Sequence, residues 1–200
     1  MFGSADPPAV QAGIADRDLD GTRVLVTGST SGIGRAAAVS LGGLGATVVV
    51  HGRDETAGRE VVAAIENSGG TATFVRADLA DPDAVSSLAV QVVETVAELD
   101  VLCNNAGGFF RDREPTALGV DHAFHINHLS HYQLTAELLD ASAFAHDARI
   151  VTTSSLAHRG ATMDLDRLFD LSGLSPVGAY CRSKLANVQY ALELADRLEH

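Results

Sequence analysis

The sequence predicts an α/β fold, a parallel β-sheet covered by helices on both faces, and three observations lead there. From Thr22 onward, short β-branched runs alternate with longer segments of helical pattern, an alternation that specifies parallel strands joined by helical crossovers. Gly28, Gly32 and Gly34 cluster where the first of these strands meets the first helix. A chain of 200 residues, 46% hydrophobic and 20% charged, suits one domain with a proper core.

The elements follow in order. Met1 to Asp20 contains Pro7-Pro8 and four aspartates without an apolar stretch. It is no signal peptide and reads as a mostly flexible leader, which leaves residues 21–200 as the domain. Arg23-Val24-Leu25-Val26 is a buried strand, and Ile33 to Leu44 a helix ended by Gly45. Thr47 to Val50 is the second strand, followed by a helix over Thr56 to Asn67 and the stop Gly69-Gly70. Thr71 to Arg76 is a third strand, Asp81 to Glu98 a helix, and Val101-Leu102-Cys103 a fourth strand. A long helix covers Leu118 to Ala141, Ala148 to Thr153 is a fifth strand, and Gly178 to Leu198 is the last helix. Right-handed crossovers make this a doubly wound, Rossmann-like sheet in three αβα layers.

Charge and cysteine usage narrow the function classes. A net charge of −12 repels nucleic-acid backbones and anionic membranes. No run reaches transmembrane length. Cys103 and Cys181 have neither metal-ligand nor redox spacing, so reduced thiols in a cytoplasmic protein are expected.

Two motifs carry chemistry. Thr27-Gly28-Ser29-Thr30-Ser31-Gly32-Ile33-Gly34 forms the first strand-to-helix turn. Glycines there let the backbone approach a pyrophosphate, and the helix N-terminus offers free N–H groups. Far downstream, Tyr180 precedes Lys184, the chain's single lysine, by four residues. On a helix the two share a face, and a neighbouring cation stabilises phenolate, which suits the tyrosine to proton exchange near neutral pH.

With Asn104-Asn105-Ala106-Gly107 after the fourth strand, the patterns TGxxxGxG, NNAG and YxxxK occur in order from Thr22 to the chain end. Together they resemble the short-chain dehydrogenase/reductase family. The stretches His125 to His131 and Ala179 to Val188 are most similar to its retinol dehydrogenase and carbonyl reductase branch. The resemblance implies an oxidoreductase that moves a hydride between a nicotinamide coenzyme and a carbonyl or alcohol. It assigns Tyr180 as proton donor and acceptor, Lys184 as its partner and a ribose ligand, and Ser155 as holder of the carbonyl oxygen. It also gives Asn127 the positioning of a relay water. The choice of Ser155 over Ser154 rests on family register. Gly28 to Gly34 form the coenzyme loop, Asp78 and Leu79 border the adenine, and Asn105, Ala106 and Gly107 flank the coenzyme ribose. A homodimer or tetramer is also implied.

Coenzyme choice has a physical handle. An acid at the end of the second strand would accept ribose hydroxyls and repel a 2′-phosphate. Here the strand ends His51-Gly52-Arg53, with Gly52 where NAD-dependent members of the family usually carry Asp. Arg53 offers a guanidinium fork for phosphate, with Arg35 as a helper. NADP(H) is therefore expected over NAD(H), the alternative being that Asp54 supplies the acid.

His122, His125, His128 and His131 recur every three residues. On an α-helix each step turns about 300°, which spreads them around the axis and argues against a shared metal. The connection Leu156 to Ala179 carries Met163, Leu165, Leu168, Phe169, Leu171 and Leu174. It is either a cover for a lipophilic pocket or surface packing. Phe109 and Phe110 are further candidates to line the pocket. The chain stops at His200, where members of the family continue through two more strands, a Pro-Gly turn and a mobile segment. A sheet lacking its last strands is expected to dissolve poorly or to associate. It leaves a non-catalytic dinucleotide-binding module, or an inactive fragment of an enzyme, as the alternative function.

Overall fold

The computed structural model describes residues 8–111 and 114–198. Five parallel strands lie in the order β3-β2-β1-β4-β5. These are β1 Arg23–Val26, β2 Thr47–Gly52, β3 Thr71–Arg76, β4 Leu99–Asn104 and β5 Phe144–Thr152. Helices α1 Pro8–Gln11, α2 Gly32–Gly43, α3 Glu55–Asn67 and α4 Pro82–Val96 come first. They are followed by α5 His122–Phe124, a π-helical turn His125–Leu129, α6 Ser130–Asp140 and α7 Pro176–Leu198. The doubly wound three-layer architecture is therefore the one the sequence predicts.

β1 is central because both of its faces are covered. Val24, Leu25 and Val26 are fully buried, and Val24 pairs with Val48 on one side and Val101 on the other. Alternation sends Val24 and Val26 into one core layer, with Val48, Val50, Val61 and Ile65. Leu25 enters the opposite layer, with Val49, Leu88, Leu102 and Leu134. Each such side chain contributes roughly 1.5–3 kcal/mol when fully removed from water. Helix starts are chemically marked. Asp54 caps α3 by accepting the Ala57 amide at 3.1 Å, and Asp81 caps α4 with Pro82 next to it.

Several boundaries differ from the sequence reading. The long helix begins at His122, not Leu118, because Gly119 sits at φ 76 in a turn that Thr116 and Val120 close. Asp121 then caps the helix by accepting the Phe124 amide at 2.8 Å. β5 starts at Phe144, with a register shift opposite Leu99 and Val101. α7 starts two residues early at Pro176, whose fixed φ suits a first helical turn. Of the expected leader, residues 1–7 lie outside the described part. Residues 8–11 form one helical turn, the Leu19 amide bonds the Leu44 carbonyl at 2.8 Å, and Leu19 packs on the core. Among the described residues no helix is long and apolar enough to cross a membrane.

Candidate active site

β1 leads to β2 and β3 on one side, whereas β4 and β5 lie on the other. Loops leaving the carboxyl ends of β1 and β4 therefore diverge and open a crevice, the ligand position of open α/β sheets. A cavity of about 780 Å³ occupies it. The glycine loop, the end of β2, the turn after β4, the end of β5 and α7 all contribute to its wall.

The glycines are required by contact. A Cβ on Gly28, at φ 64, would stand 2.8 Å from the Ala106 Cα. One on Gly34 would strike the Gly28 carbonyl oxygen and lie 2.5 Å from Asn105 Nδ2. Gly32 differs: at φ 55 it has nothing within 4 Å of the Cβ position, so bare backbone faces open space at the start of α2. That cradle fits a pyrophosphate. Thr30, Ser31 and Ile33 line the cavity as expected. Ser29 does not, being fully buried with its hydroxyl donating to the Val26 carbonyl and its amide to the His51 carbonyl. Arg35 is exposed on α2 and stands outside the cavity wall.

Two residues to which the sequence reading gave no role of their own hold this loop. His51 is 2% exposed, and its Nδ1 accepts the Gly28 amide at 3.2 Å. Burial lowers its pKa to about 4, so the ring is neutral and able to accept. Thr27 Oγ1 accepts the amides of Asn105 and Ala106 at 2.9 Å each, and Asn105 Nδ2 returns a bond to the Thr27 carbonyl at 2.9 Å. Thr27 was legible as the first polar residue after an apolar strand. Nothing in the sequence distinguishes His51 from a strand-end polar residue.

At the far end of the cavity Arg53, Asp78 and Leu79 are wall residues. Arg53 Nη1 stands 3.8 Å from Asp78 Oδ2, with both side chains largely exposed. A Cβ on Gly52 would meet the Thr30 methyl at 2.5 Å. Thr30 thus occupies the space that an acid at Gly52 would need.

Ser154, Ser155, Tyr180 and Lys184 line the same cavity, as do Asn105, Ala106, Gly107, Phe109 and Phe110. Lys184 is 4% exposed, donates from Nζ to the Thr153 carbonyl at 3.0 Å, and lies 5.8 Å from the Tyr180 ring centre. Burial pulls its pKa below the ordinary lysine value. The Phe109 ring stands 6.0 Å from that of Tyr180. The two serines differ. Ser154 Oγ donates to the Lys184 carbonyl at 2.8 Å, whereas Ser155 Oγ accepts the Ala157 amide at 3.2 Å and keeps its own proton to give.

Asn127 is fully buried and stands behind the wall. Its Oδ1 accepts the Gly108 amide at 2.9 Å, and its Nδ2 donates to the Gly108 carbonyl and Ser183 Oγ at 3.0 Å each. It therefore braces the turn after β4 against α7. The four histidines find separate neighbours. His122 stacks near Phe110, His128 bonds Asn187 and His131 bonds Thr27, while His125 is buried on the π turn. From the connection after Ser155, no residue between Leu156 and Ala179 lines the cavity. Met163 and Leu168 pack on Val120, Phe124 and Ala186, while Leu156, Leu165 and Phe169 are exposed.

The family model described as short chain dehydrogenase matches residues 22–200. The chain belongs to that family. The chain is 38% identical over 180 residues to polyprenol dehydrogenase of Mus musculus, covering 87% of the chain and 54% of the relative. It is 33% identical over 186 residues to retinol dehydrogenase 13 of Homo sapiens, covering 90% and 56%. The chain thus spans about half the length of these relatives. Among solved structures it is similar to a short chain dehydrogenase from Burkholderia cenocepacia J2315 in complex with NADP. The TM-score is 0.76 at 31% identity, over 92% of this chain and 71% of that one. It is also similar to the landomycin C-6 ketoreductase LanV with bound NADP and rabelomycin. There the TM-score is 0.74 at 32% identity, over 92% and 73%. Membership of the retinol dehydrogenase and carbonyl reductase branch, and a nucleotide-binding fold of the NAD(P) type, agree with the sequence reading.

Proposed function

We propose that residues 21–200 bind NADP(H) and carry the hydride-transfer site of an oxidoreductase interconverting a carbonyl and an alcohol. One observation carries this reading: Tyr180, Lys184 and Ser155 border the same cavity as the Gly28–Gly34 loop. The bound nicotinamide supplies or accepts the hydride. The chain's own residues bind, orient and move the proton. The bare backbone at Gly32 and the start of α2 receives the pyrophosphate. Lys184, Asn105, Ala106 and Gly107 lie along the ribose, and Asp78 and Leu79 border the adenine. Arg53 faces the 2′-phosphate, and the steric block at Gly52 keeps an acid from that place.

Reduction builds negative charge on the carbonyl oxygen, which Ser155 Oγ–H stabilises as a hydrogen-bond donor. Tyr180 delivers the proton, and the nearby ammonium of Lys184 favours the phenolate left behind. Asn127 holds the turn at Gly108 and, through Ser183, the helix that carries both residues. Assembly as a homodimer or tetramer belongs to the same reading.

The test is a fluorescence titration with NADPH, followed by turnover against a panel of aldehydes and ketones. Tyr180→Phe is expected to lower turnover by at least ~10³-fold while the Kd for NADPH stays within about twofold. Retained turnover in that variant refutes the assignment. Binding without turnover in the unsubstituted chain favours a dinucleotide-binding module instead.

A further inference from the structure

We propose that His131 is a positioning residue for hydride transfer: it joins Thr27, at the root of the glycine loop, to the backbone carbonyl of Asn127. In this way it couples the coenzyme loop to the frame behind the catalytic residues. The inference rests on the oxidoreductase reading and adds a member that neither touches coenzyme nor lines the cavity.

His131, on α6, is 1% exposed. Its Nδ1 lies 3.2 Å from the Asn127 carbonyl oxygen, and its Nε2 lies 2.9 Å from Thr27 Oγ1. A carbonyl can only accept, so the ring proton must sit on Nδ1. Nε2 is then a bare acceptor, and the Thr27 hydroxyl donates to it at 2.9 Å in preference to the Cys103 carbonyl, which lies farther off at 3.2 Å. With its proton committed there, Thr27 Oγ1 keeps both lone pairs for the amides of Asn105 and Ala106. One tautomer thus satisfies the ring, the hydroxyl and both amides together.

The connection continues on the other side of Asn127. Its Nδ2 donates to Ser183 Oγ at 3.0 Å, and Ser183 Oγ donates to the Tyr180 carbonyl at 2.8 Å. An unbroken path of bonded groups therefore runs from the turn after β1 to the helix of Tyr180 and Lys184. The carbonyl at its midpoint lies in the π-helical turn, where the regular ladder is interrupted. There Ser130 Oγ also reaches back, to the His125 carbonyl at 3.0 Å. Burial keeps the His131 ring neutral, and the titratable groups near it, His51 on β2, Lys184 on α7 and His128 in the π-helical turn before α6, act in the same direction.

Two substitutions separate the halves of the bridge. His131→Asn places an amide N–H at the Nδ1 position, within reach of the Asn127 carbonyl but short of Thr27. His131→Gln places its amide at the Nε2 position, within reach of Thr27 but past the carbonyl. A lost hydrogen bond of ordinary strength corresponds to about tenfold. The Asn variant is therefore expected to bind NADPH about tenfold more weakly. The Gln variant is expected to keep its NADPH Kd within about twofold while kcat falls about tenfold. A direct readout on the unsubstituted chain needs neither variant to fold. Imidazole ¹⁵N signals should show His131 as the Nδ1–H tautomer, without titration between pH 8 and pH 5. An Nε2–H tautomer overturns the proposal, and so do variants that unfold more easily but retain both Kd and kcat. Were turnover absent throughout, the oxidoreductase reading would fall, and the ¹⁵N signals with the NADPH titration would still decide for or against the bridge.

Discussion

Around the end of β1, Thr27 Oγ1, Asn105 Nδ2 and both amide atoms of Asn127 are held by other groups of the chain. Along the connection from Leu156 to Ser175, by contrast, large apolar side chains face water. Leu156, Leu165 and Phe169 are 75%, 71% and 68% exposed. The first region places groups relative to one another through backbone amides and buried side chains, which tolerate little displacement. The second is made of short 3₁₀ turns with Asp164 as a local cap, and its Met163 and Leu168 pack on Val120, Phe124 and Ala186. The contrast separates a preorganised polar frame from a surface whose side chains are open to change.

Acid should break the frame most strongly. An ordinary imidazole titrates near 6.5, whereas burial lowers His51 to about 4 and His131 to about 3. As pH falls, the unfolded chain takes up these protons first, so stability is whole above pH 6.5 and declines from there toward pH 3. At roughly 1.4 kcal/mol per unit and per ring, several kcal/mol are lost by pH 4. Urea midpoints at pH 7 and pH 4.5 measure it, and equal midpoints would mean that neither ring is dry. The exposed connection contributes no buried histidine to this loss.

A smaller effect is expected from Gly34→Ala, which forces a methyl against the Gly28 carbonyl. About 1–3 kcal/mol of stability should go, together with NADPH affinity. A variant as stable and as tight as the parent would show that the loop yields. Arg53→Ala should raise the NADPH Kd about tenfold and leave that for NADH within about twofold. Parallel loss for both coenzymes would assign Arg53 to the loop's structure rather than to the 2′-phosphate. Smallest of all is Phe169→Ser, within about 0.5 kcal/mol in thermal unfolding and neutral for NADPH. A loss beyond 1 kcal/mol would mean that this face is covered in solution.

Much of the architecture was legible because periodicity and glycine placement are local. Five β-branched runs gave five strands, and Gly45 and the pair Gly69-Gly70 stopped helices where chain reversal needs them. Less local features escaped. The start of α5 depended on Gly119 being left-handed, and the π turn around Asn127 has no periodic signature. At the candidate site, the spacing of Tyr180 and Lys184 placed both on one wall. Ser154 and Ser155 could not be separated from sequence, because the difference lies in a bond to the Lys184 carbonyl thirty residues away. Ser29 and Arg35 follow the loop pattern yet face elsewhere, since strand twist and helix phase decide which loop positions meet the cavity.

The crowding between Thr30 and Gly52 has a further consequence for how this chain can change over time. On the NADP(H) reading proposed above, introducing an acid at the tip of β2, the simplest path toward a coenzyme without the extra phosphate, first meets a branched neighbour 2.5 Å away. Thr30 has to yield in the same step, so redox-partner exchange here is a two-substitution problem, and engineering that alters either position alone starts from a disadvantaged intermediate.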